Sequence, residues 1–145
     1  EGVRNYVVNF ISNIANQAGF TDYDGKLEFG FSNGKIILVD VLGTFDENRF
    51  MFNGEQVSKE FLRQWYKKNQ PKWYEACEVA KLQARTESIE DWKSLVVIKP
   101  KSLPERLVEL VGEMYQSGSD RYTCRNLFKR RPLEKVMDEL REYRN

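Results

Sequence analysis

The sequence predicts an α+β fold in which an antiparallel β-hairpin packs with several helices. Three observations support this class. Apolar residues recur at helical spacing over residues 3–18, two short apolar segments joined by a turn signal follow, and the patterns after residue 57 are mostly helical. Because 145 residues can bury a sizeable core, we expect residues 1–145 to form a single domain.

The first helix is predicted from its apolar stripe, and Gly19 is placed to end it. The residues of the stripe are Val3, Val7, Phe10, Ile11, Ile14 and Ala18. Two strands are expected next, at residues 25–31 and 35–41. Ser32-Asn33-Gly34 lies between them and is a hairpin signal.

The length of the hairpin loop decides which side chains share a face. A two-residue turn at Asn33-Gly34 would put Glu28 and Asp40 on opposite faces, whereas a three-residue loop would put them on the same face. The three-residue loop is predicted, because it separates an apolar face from a polar one. The apolar face would hold Leu27, Phe29, Phe31, Ile37 and Val39, and the polar face Lys26, Glu28 and Asp40.

The segments after the hairpin are read from turn and capping signals. Residues 43–49 are predicted as a polar loop, and residues 50–52 as a brief extended segment. Ser58 is expected to begin a helix that Pro71 interrupts, and a second helix is expected over 72–85.

The last third of the chain is also predicted to be helical. Ser102-Leu103-Pro104-Glu105 fits a capping box before a buried stripe, which consists of Leu107, Leu110, Val111 and Met114. Gly118 is expected in the following turn, and residues 122–131 in another helix. A final helix is predicted to begin near Pro132, with the stripe Leu133, Val136, Met137, Leu140 and Tyr143.

Composition excludes several classes of function. The net charge of +1 gives no field that would attract nucleic acid, and no apolar run is long enough to span a membrane. The chain has no histidine, which excludes histidine-based catalysis and most zinc sites, so any metal would have oxygen ligands and favour Mg²⁺ or Mn²⁺. Cys77 and Cys124 are expected to be buried free thiols in a reducing cytoplasm, and a disulfide between them is the alternative.

The candidate chemistry lies on the hairpin. Glu28 and Asp40 occupy strands that are otherwise apolar, and a carboxylate there is costly to bury unless it is paired or binds a cation. One reading is a site in which both carboxylates hold a divalent cation against nucleotide phosphates, with Lys26 adding a positive charge. The other reading is a surface hairpin with a Lys–Glu pair and a solvated aspartate.

Two further clusters are expected to have structural roles. Arg125, Lys129, Arg130 and Arg131 are expected to form a basic edge balanced by nearby acids, and a helical nucleic-acid-binding domain is the alternative. The aromatic residues of 65–74 are expected to pack helices together rather than to stack on bases.

The run Asp24-x-Lys26-x-Glu28-Phe29-Gly30, with an apolar strand ending in Asp40, resembles the SAICAR synthetases (phosphoribosylaminoimidazole-succinocarboxamide synthases). The loop from Asp46 to Phe50 and the helix segment 58–64 look like the next two segments of that family. The likeness covers roughly residues 3–85. It implies the C-terminal lobe of an ATP-grasp-like fold, with residues 96–145 as a helical extension.

The resemblance implies a cytoplasmic enzyme of purine biosynthesis that uses ATP and Mg²⁺. Such an enzyme joins L-aspartate to the carboxylate of an aminoimidazole ribonucleotide through a phosphorylated carboxylate. In this sequence Glu28 and Asp40 would be the metal-linked carboxylates of the ATP site, and Lys26 would lie near the reacting groups.

The resemblance also implies substrate-binding residues. Asp46 and Arg49 match the loop that holds the ribonucleotide, and Arg49 suits its phosphate. Lys59 and Arg63 match basic residues of the next helix, which bind substrate anions in this reading and form a solvated face in the alternative one.

Departures from the family pattern leave a second function open. Val41 stands where a second acid is usual, and Phe45 where proline is usual. The family's N-terminal ATP lobe has no counterpart here, and Glu1 already lies in a helical pattern. We therefore expect a fragment whose missing lobe is supplied in cis or by a separate chain, with homo-oligomers also open. A non-catalytic interaction module is the alternative.

Overall fold

The computed structural model describes residues 2–144 and confirms the α+β class. In this described part of the chain one helix is followed by five strands and then by four helices. The helices are α1 (Gly2–Gln17), α2 (Glu60–Asn69), α3 (Pro71–Glu87), α4 (Glu105–Thr123) and α5 (Leu133–Leu140). The strands are β1 (Phe20–Gly25), β2 (Glu28–Ser32), β3 (Lys35–Val39), β4 (Asn48–Phe52) and β5 (Glu55–Gln56). Short 3₁₀ turns occupy Trp92–Leu95 and Arg141–Tyr143.

The strands form two separate antiparallel sheets. One has three strands in the order β1-β4-β5, and the other is the β2-β3 hairpin. The first predicted strand, 25–31, is therefore divided, since Gly25 ends β1 and Glu28 begins β2. The sequence did not indicate β1, in which polar residues follow Phe20.

The hairpin turn has two residues, so the prediction of a three-residue loop was wrong. Ser32 pairs directly with Lys35, and Asn33 and Gly34 both have positive φ angles, 51° and 74°. Asn-Gly tolerates this geometry, whose twist matches that of the flanking strands. In this register Phe29 lies opposite Leu38, and Glu28 lies opposite Val39. The expected division into an apolar and a polar face is therefore also wrong.

The hydrophobic core lies between the three-stranded sheet and helices α1, α4 and α5. Phe20 and Phe50 contribute from adjacent strands, and each is at most 1% exposed. The predicted stripes of α4 and α5 are confirmed as buried, apart from Tyr143, which packs at the edge of the core. The buried stripe residues are Leu107, Leu110, Val111, Met114, Leu133, Val136, Met137 and Leu140.

Three predictions for the C-terminal third were wrong. Gly118 lies inside α4, which continues to Thr123, and residues 124–132 are not helical. Asp120 accepts hydrogen bonds from the backbone N–H groups of Leu127 and Phe128, which holds this segment in an irregular path. The capping box does not form, because Pro104 is the N-cap and makes no side-chain hydrogen bond.

Cys77 is buried and free, as predicted, but Cys124 is free and exposed, so the prediction of its burial was wrong. Cys124 follows the last residue of α4 with a left-handed backbone, φ 53°, outside the buried stripe. Among the helices that the structure describes, none combines the length and apolar character needed to cross a bilayer.

Candidate functional site

Five of the seven predicted site residues line one open cleft of about 410 Å³. It lies where β1 ends, β4 begins and α2 begins. The five are Lys26, Asp46, Arg49, Lys59 and Arg63. The structure thus brings together residues that the sequence spreads over nearly forty positions.

The pairing of β1 with β4 builds the floor of the cleft. Asp24 lies opposite Arg49 in the register, and the Arg49 guanidinium donates to both carboxylate oxygens of Asp24, with Nε 2.6 Å from Oδ1. This two-pronged contact raises the pKa of Arg49, through hydrogen bonding first and charge second. Arg49 is therefore held in a defined direction at the cleft surface.

The Asn48 side chain connects the polar loop to the three-stranded sheet through hydrogen bonds. It is only 4% exposed, donates to Asp22 Oδ1 at 3.0 Å, and accepts from the backbone N–H of Gly43 at 3.2 Å. Gly25 lies directly against it, and a Cβ atom there would come within 2.3 Å of the Asn48 amide nitrogen. Glycine is needed at this position because of that close approach.

Each of the other cations in the cleft also faces an acid. Lys59 Nζ is 3.8 Å from Glu47 Oε1, and Arg63 Nη1 is 3.3 Å from Glu60 Oε2. The two cationic side chains are 42% and 58% exposed, so these are solvent-screened pairs worth little to stability. An incoming anion can therefore compete for the cations at small cost.

Lys26 connects the cleft to the predicted metal pair. Its ammonium forms an ion pair with Glu28 and lies 3.9 Å from Asp40 Oδ2. Hydrogen bonding to Glu28, followed by the Glu28 charge, raises the pKa of Lys26. Both carboxylates thus approach one cationic group.

This convergence occurs although the hairpin register alone would separate the two acids. Asp40 follows the last residue of β3 with φ at 70°, a left-handed conformation that ends the strand. Its Oδ1 accepts the backbone N–H of Val41 at 2.8 Å. The backbone turn, rather than strand alternation, directs Asp40 toward Lys26.

Glu28 and Asp40 could together supply two carboxylates to a magnesium ion, which completes its ligand set with phosphate and water. Within residues 2–144 no group of three or more acidic, cysteine or histidine side chains is placed to hold a metal. The assignment of Glu28 and Asp40 as metal ligands stays a prediction.

The sequence did not single out several residues of the site. Asp24, Glu47 and Glu60 line the cleft as partners of the predicted cations, and acids one to three residues from a predicted cation were the available signal. Tyr115 of α4 donates from its hydroxyl to Asp46 Oδ1 at 3.0 Å. Nothing local could indicate this contact, because the two residues are 69 positions apart.

Two of the four residues of the predicted basic cluster, Arg130 and Arg131, make side-chain contacts within the protein. Arg131 forms ion pairs with Glu113 and Glu139, and Arg130 donates to Gln116 at 2.6 Å. The pKa of Glu139 is lowered to about 2, mainly by hydrogen bonds from Arg131 and then from Arg106. These contacts fit the predicted balanced edge.

Comparisons with known proteins find several similar sequences. A family model described as SAICAR synthetase matches residues 3–80. A putative phosphoribosylaminoimidazole-succinocarboxamide synthase of Archaeoglobus fulgidus is 34% identical over 137 residues, which is 94% of this chain and 39% of that protein. The chain therefore spans well under half the length of this relative.

Two shorter matches carry the same enzyme name without the word putative. The Bacteroides thetaiotaomicron protein is 38% identical over 68 residues, covering 39% of this chain and 22% of its own length. The chloroplastic protein of Arabidopsis thaliana is 37% identical over 73 residues, covering 41% of this chain and 18% of its own length.

Proposed function

Because this chain belongs to the SAICAR synthetase family, we propose that it is part of an ATP-dependent carbon–nitrogen ligase of purine biosynthesis. The ligase joins L-aspartate to the carboxylate of carboxyaminoimidazole ribonucleotide. The names of the relatives support this reaction. The cytoplasm is the proposed compartment, as expected for a chain with two free cysteines.

The observation that carries the proposal is the gathering of Lys26, Asp46, Arg49, Lys59 and Arg63 around one cleft. Phosphorylation of a carboxylate followed by attack of an amine needs few proton transfers from side chains. It depends instead on positioning and on charge stabilisation. A histidine-free cleft, in which each cation is paired with an acid that an incoming anion can displace, suits that demand, with Glu28 and Asp40 close to its Lys26.

Each residue then has a defined task. Arg49 binds the phosphate of the ribonucleotide, exchanging part of its contact with Asp24, and Lys59 and Arg63 bind further substrate anions. Glu28 and Asp40 hold Mg²⁺, which offsets phosphate charge when it is bound.

Lys26 then leaves the two carboxylates and turns toward the reacting groups. Its side chain is 58% exposed, so this movement needs no rearrangement of the core.

The ATP-binding lobe is proposed to come from the part of the family's length that this chain does not span, in cis or as a separate chain. The β2-β3 hairpin supports this arrangement, because it exposes apolar side chains on both of its faces. Phe31 is 76% exposed on one face and Ile37 is 46% exposed on the other. A surface of this kind beside the metal pair suits coverage by another lobe.

The proposal is tested by Mg-ATP binding to the full-length protein, measured by calorimetry. We expect Glu28→Ala and Asp40→Ala each to weaken binding at least about tenfold, equivalent to ~1.4 kcal/mol. Glu75→Ala, an exposed acid on α3, is the control and should leave the affinity unchanged. Unchanged affinity in both test variants would contradict the assignment.

A non-catalytic interaction module is the second candidate. Val41 favours it, since the position that usually carries a second acid here holds an apolar side chain that is 61% exposed. Incubation of the full-length protein with ATP, aspartate and carboxyaminoimidazole ribonucleotide decides between the two. Formation of the succinocarboxamide product eliminates the module, and ATP binding without product formation supports it.

A further inference from the structure

We propose that Tyr115 of α4 is a positioning residue that fixes Asp46, and with it the ribonucleotide-binding loop, at the cleft. This inference rests on the proposed function. It assigns a task to the C-terminal helices, for which neither motif nor resemblance supplies one.

The loop is first anchored from the inside by Phe45. This residue is 6% exposed and packs edge-on against Tyr115, with ring centroids 5.9 Å apart and planes at 88°. Phe50 packs against the Phe45 ring as well, with ring centroids 5.7 Å apart. Gly118 of α4 leaves the space, since a Cβ there would lie 2.7 Å from the Phe45 ring. Phe45, which stands where proline is usual, thus anchors the loop onto α4.

With Phe45 turned inward, Asp46 is exposed and lines the cleft. The hydroxyl of Tyr115 donates to its carboxylate from the side of α4. Burial raises the pKa of Tyr115, and the hydrogen bond to Asp46 adds to this effect. The phenol is therefore protonated, and able to donate, throughout the physiological pH range.

The same loop is hydrogen-bonded to the start of α2. The backbone N–H of Lys59 donates to the carbonyl of Phe45 at 3.4 Å, and Asn48 N–H donates to Thr44 O at 2.8 Å. A change in the loop is thus passed on to the start of α2, where Lys59 is the N-cap and Arg63 lies in the first turns. Tyr115 lies outside the reacting centre and acts through Asp46.

The test compares Tyr115→Phe with Tyr122→Phe in the full-length protein. Tyr122 also packs on Phe45, with ring centroids 6.2 Å apart, so its variant reproduces the loss of a partly buried phenol hydroxyl on α4. We expect Tyr115→Phe to raise the KM for the ribonucleotide about three- to tenfold, as for the loss of a typical hydrogen bond. The kcat and the KM for ATP should stay within about twofold, and Tyr122→Phe should change none of the three.

The link through Asp46 is tested by combining variants. In an Asp46→Ala background, Tyr115→Phe should change the ribonucleotide KM by less than about twofold, because its partner is already gone. An undiminished effect in that background, or a wild-type KM in the single variant, overturns the inference while leaving the ligase intact.

A readout independent of activity separates this inference from the proposed function. Amide hydrogens of residues 44–48 should exchange faster in Tyr115→Phe than in the wild type or in Tyr122→Phe. If the wild type forms no product, the ligase proposal fails, and the exchange data still decide whether Tyr115 orders the loop. Equal exchange in all three proteins contradicts that ordering.

Discussion

At the scale of single residues, the proposed metal site depends on Lys26, whose ammonium approaches both carboxylates that are proposed to hold the ion. Its ammonium meets both Glu28 and Asp40, and all three side chains are between 42% and 58% exposed. An exposed ammonium is a weak competitor for two carboxylates. In the proposed site, Lys26 therefore competes only weakly with a metal ion for Glu28 and Asp40.

Replacing Lys26 tests this competition. We expect Lys26→Met in the full-length protein to bind Mn²⁺, without nucleotide, about three- to tenfold more tightly, because two carboxylates lose their internal cation. Ligase activity should fall at the same time, since Lys26 is proposed to lie near the reacting groups. Titration followed by electron paramagnetic resonance measures the metal affinity.

Lys35→Met is the matched control, because Lys35 is an exposed lysine at the other end of the same hairpin. It should change neither metal affinity nor activity. Weaker Mn²⁺ binding in Lys26→Met would show that the lysine supports the metal site rather than competing for it.

One contact that the sequence indicated has a local signal. The Lys26–Glu28 pair, which belongs to the alternative reading of a surface hairpin, joins two positions of one motif, and the structure forms it. The metal-binding role of Glu28 and Asp40 stays a prediction. The left-handed turn at Asp40 and the contact of Tyr115 with Asp46 were not predictable, because the first depends on one backbone angle and the second on tertiary packing.

At the scale of secondary-structure elements, α4 shows how packing overrides a local signal. Gly118 resembles a helix terminator in the sequence, but it lies inside the helix because the Phe45 ring fills the space beside it. The buried stripes of α4 and α5 were predictable, since they follow helical spacing. The length of the hairpin loop was not predictable in this way. The three-residue loop was favoured because it would separate apolar from polar side chains, and the folded hairpin has no such separation.

The two glycines inside α4 give a matched pair of variants. We expect Gly118→Ala to destabilise the protein by about 1 kcal/mol, because overpacking of ~1–3 kcal/mol exceeds a helix-propensity gain of up to ~1 kcal/mol. Gly112→Ala should stabilise it by about 0.5–1 kcal/mol, because no atom lies within 4 Å of the added Cβ.

Equilibrium urea unfolding measures both changes. The double variant Gly118→Ala, Phe45→Leu should recover part of the loss, since a smaller side chain then faces α4. Equal stabilisation by the two alanine variants would show that Phe45 moves aside freely, and it would weaken the case for α4 as the support of the loop.

At the scale of the whole molecule, the two sheets differ in how they are stabilised. The three-stranded sheet packs its phenylalanines into the core shared with α1, α4 and α5. The β2-β3 hairpin has two strands only, and Phe29, Phe31, Ile36, Ile37 and Val39 are each at least 40% exposed. A two-stranded ribbon of this kind is marginal on its own in water.

Hydrogen exchange should make this difference visible. In the 145-residue chain we expect amides of β2 and β3 to exchange faster than those of β1 and β4, because the hairpin opens without breaking the core. In the full-length protein the hairpin should become protected to a similar degree, since the proposed ATP lobe would cover its apolar faces and pair its edges. Mass spectrometry of peptides from residues 28–39 and 48–52 measures both states. The proposed coverage would be contradicted by either of two results. One is that the hairpin amides exchange as slowly as those of β4 in the short chain, and the other is that they exchange equally fast in the short chain and the full-length protein.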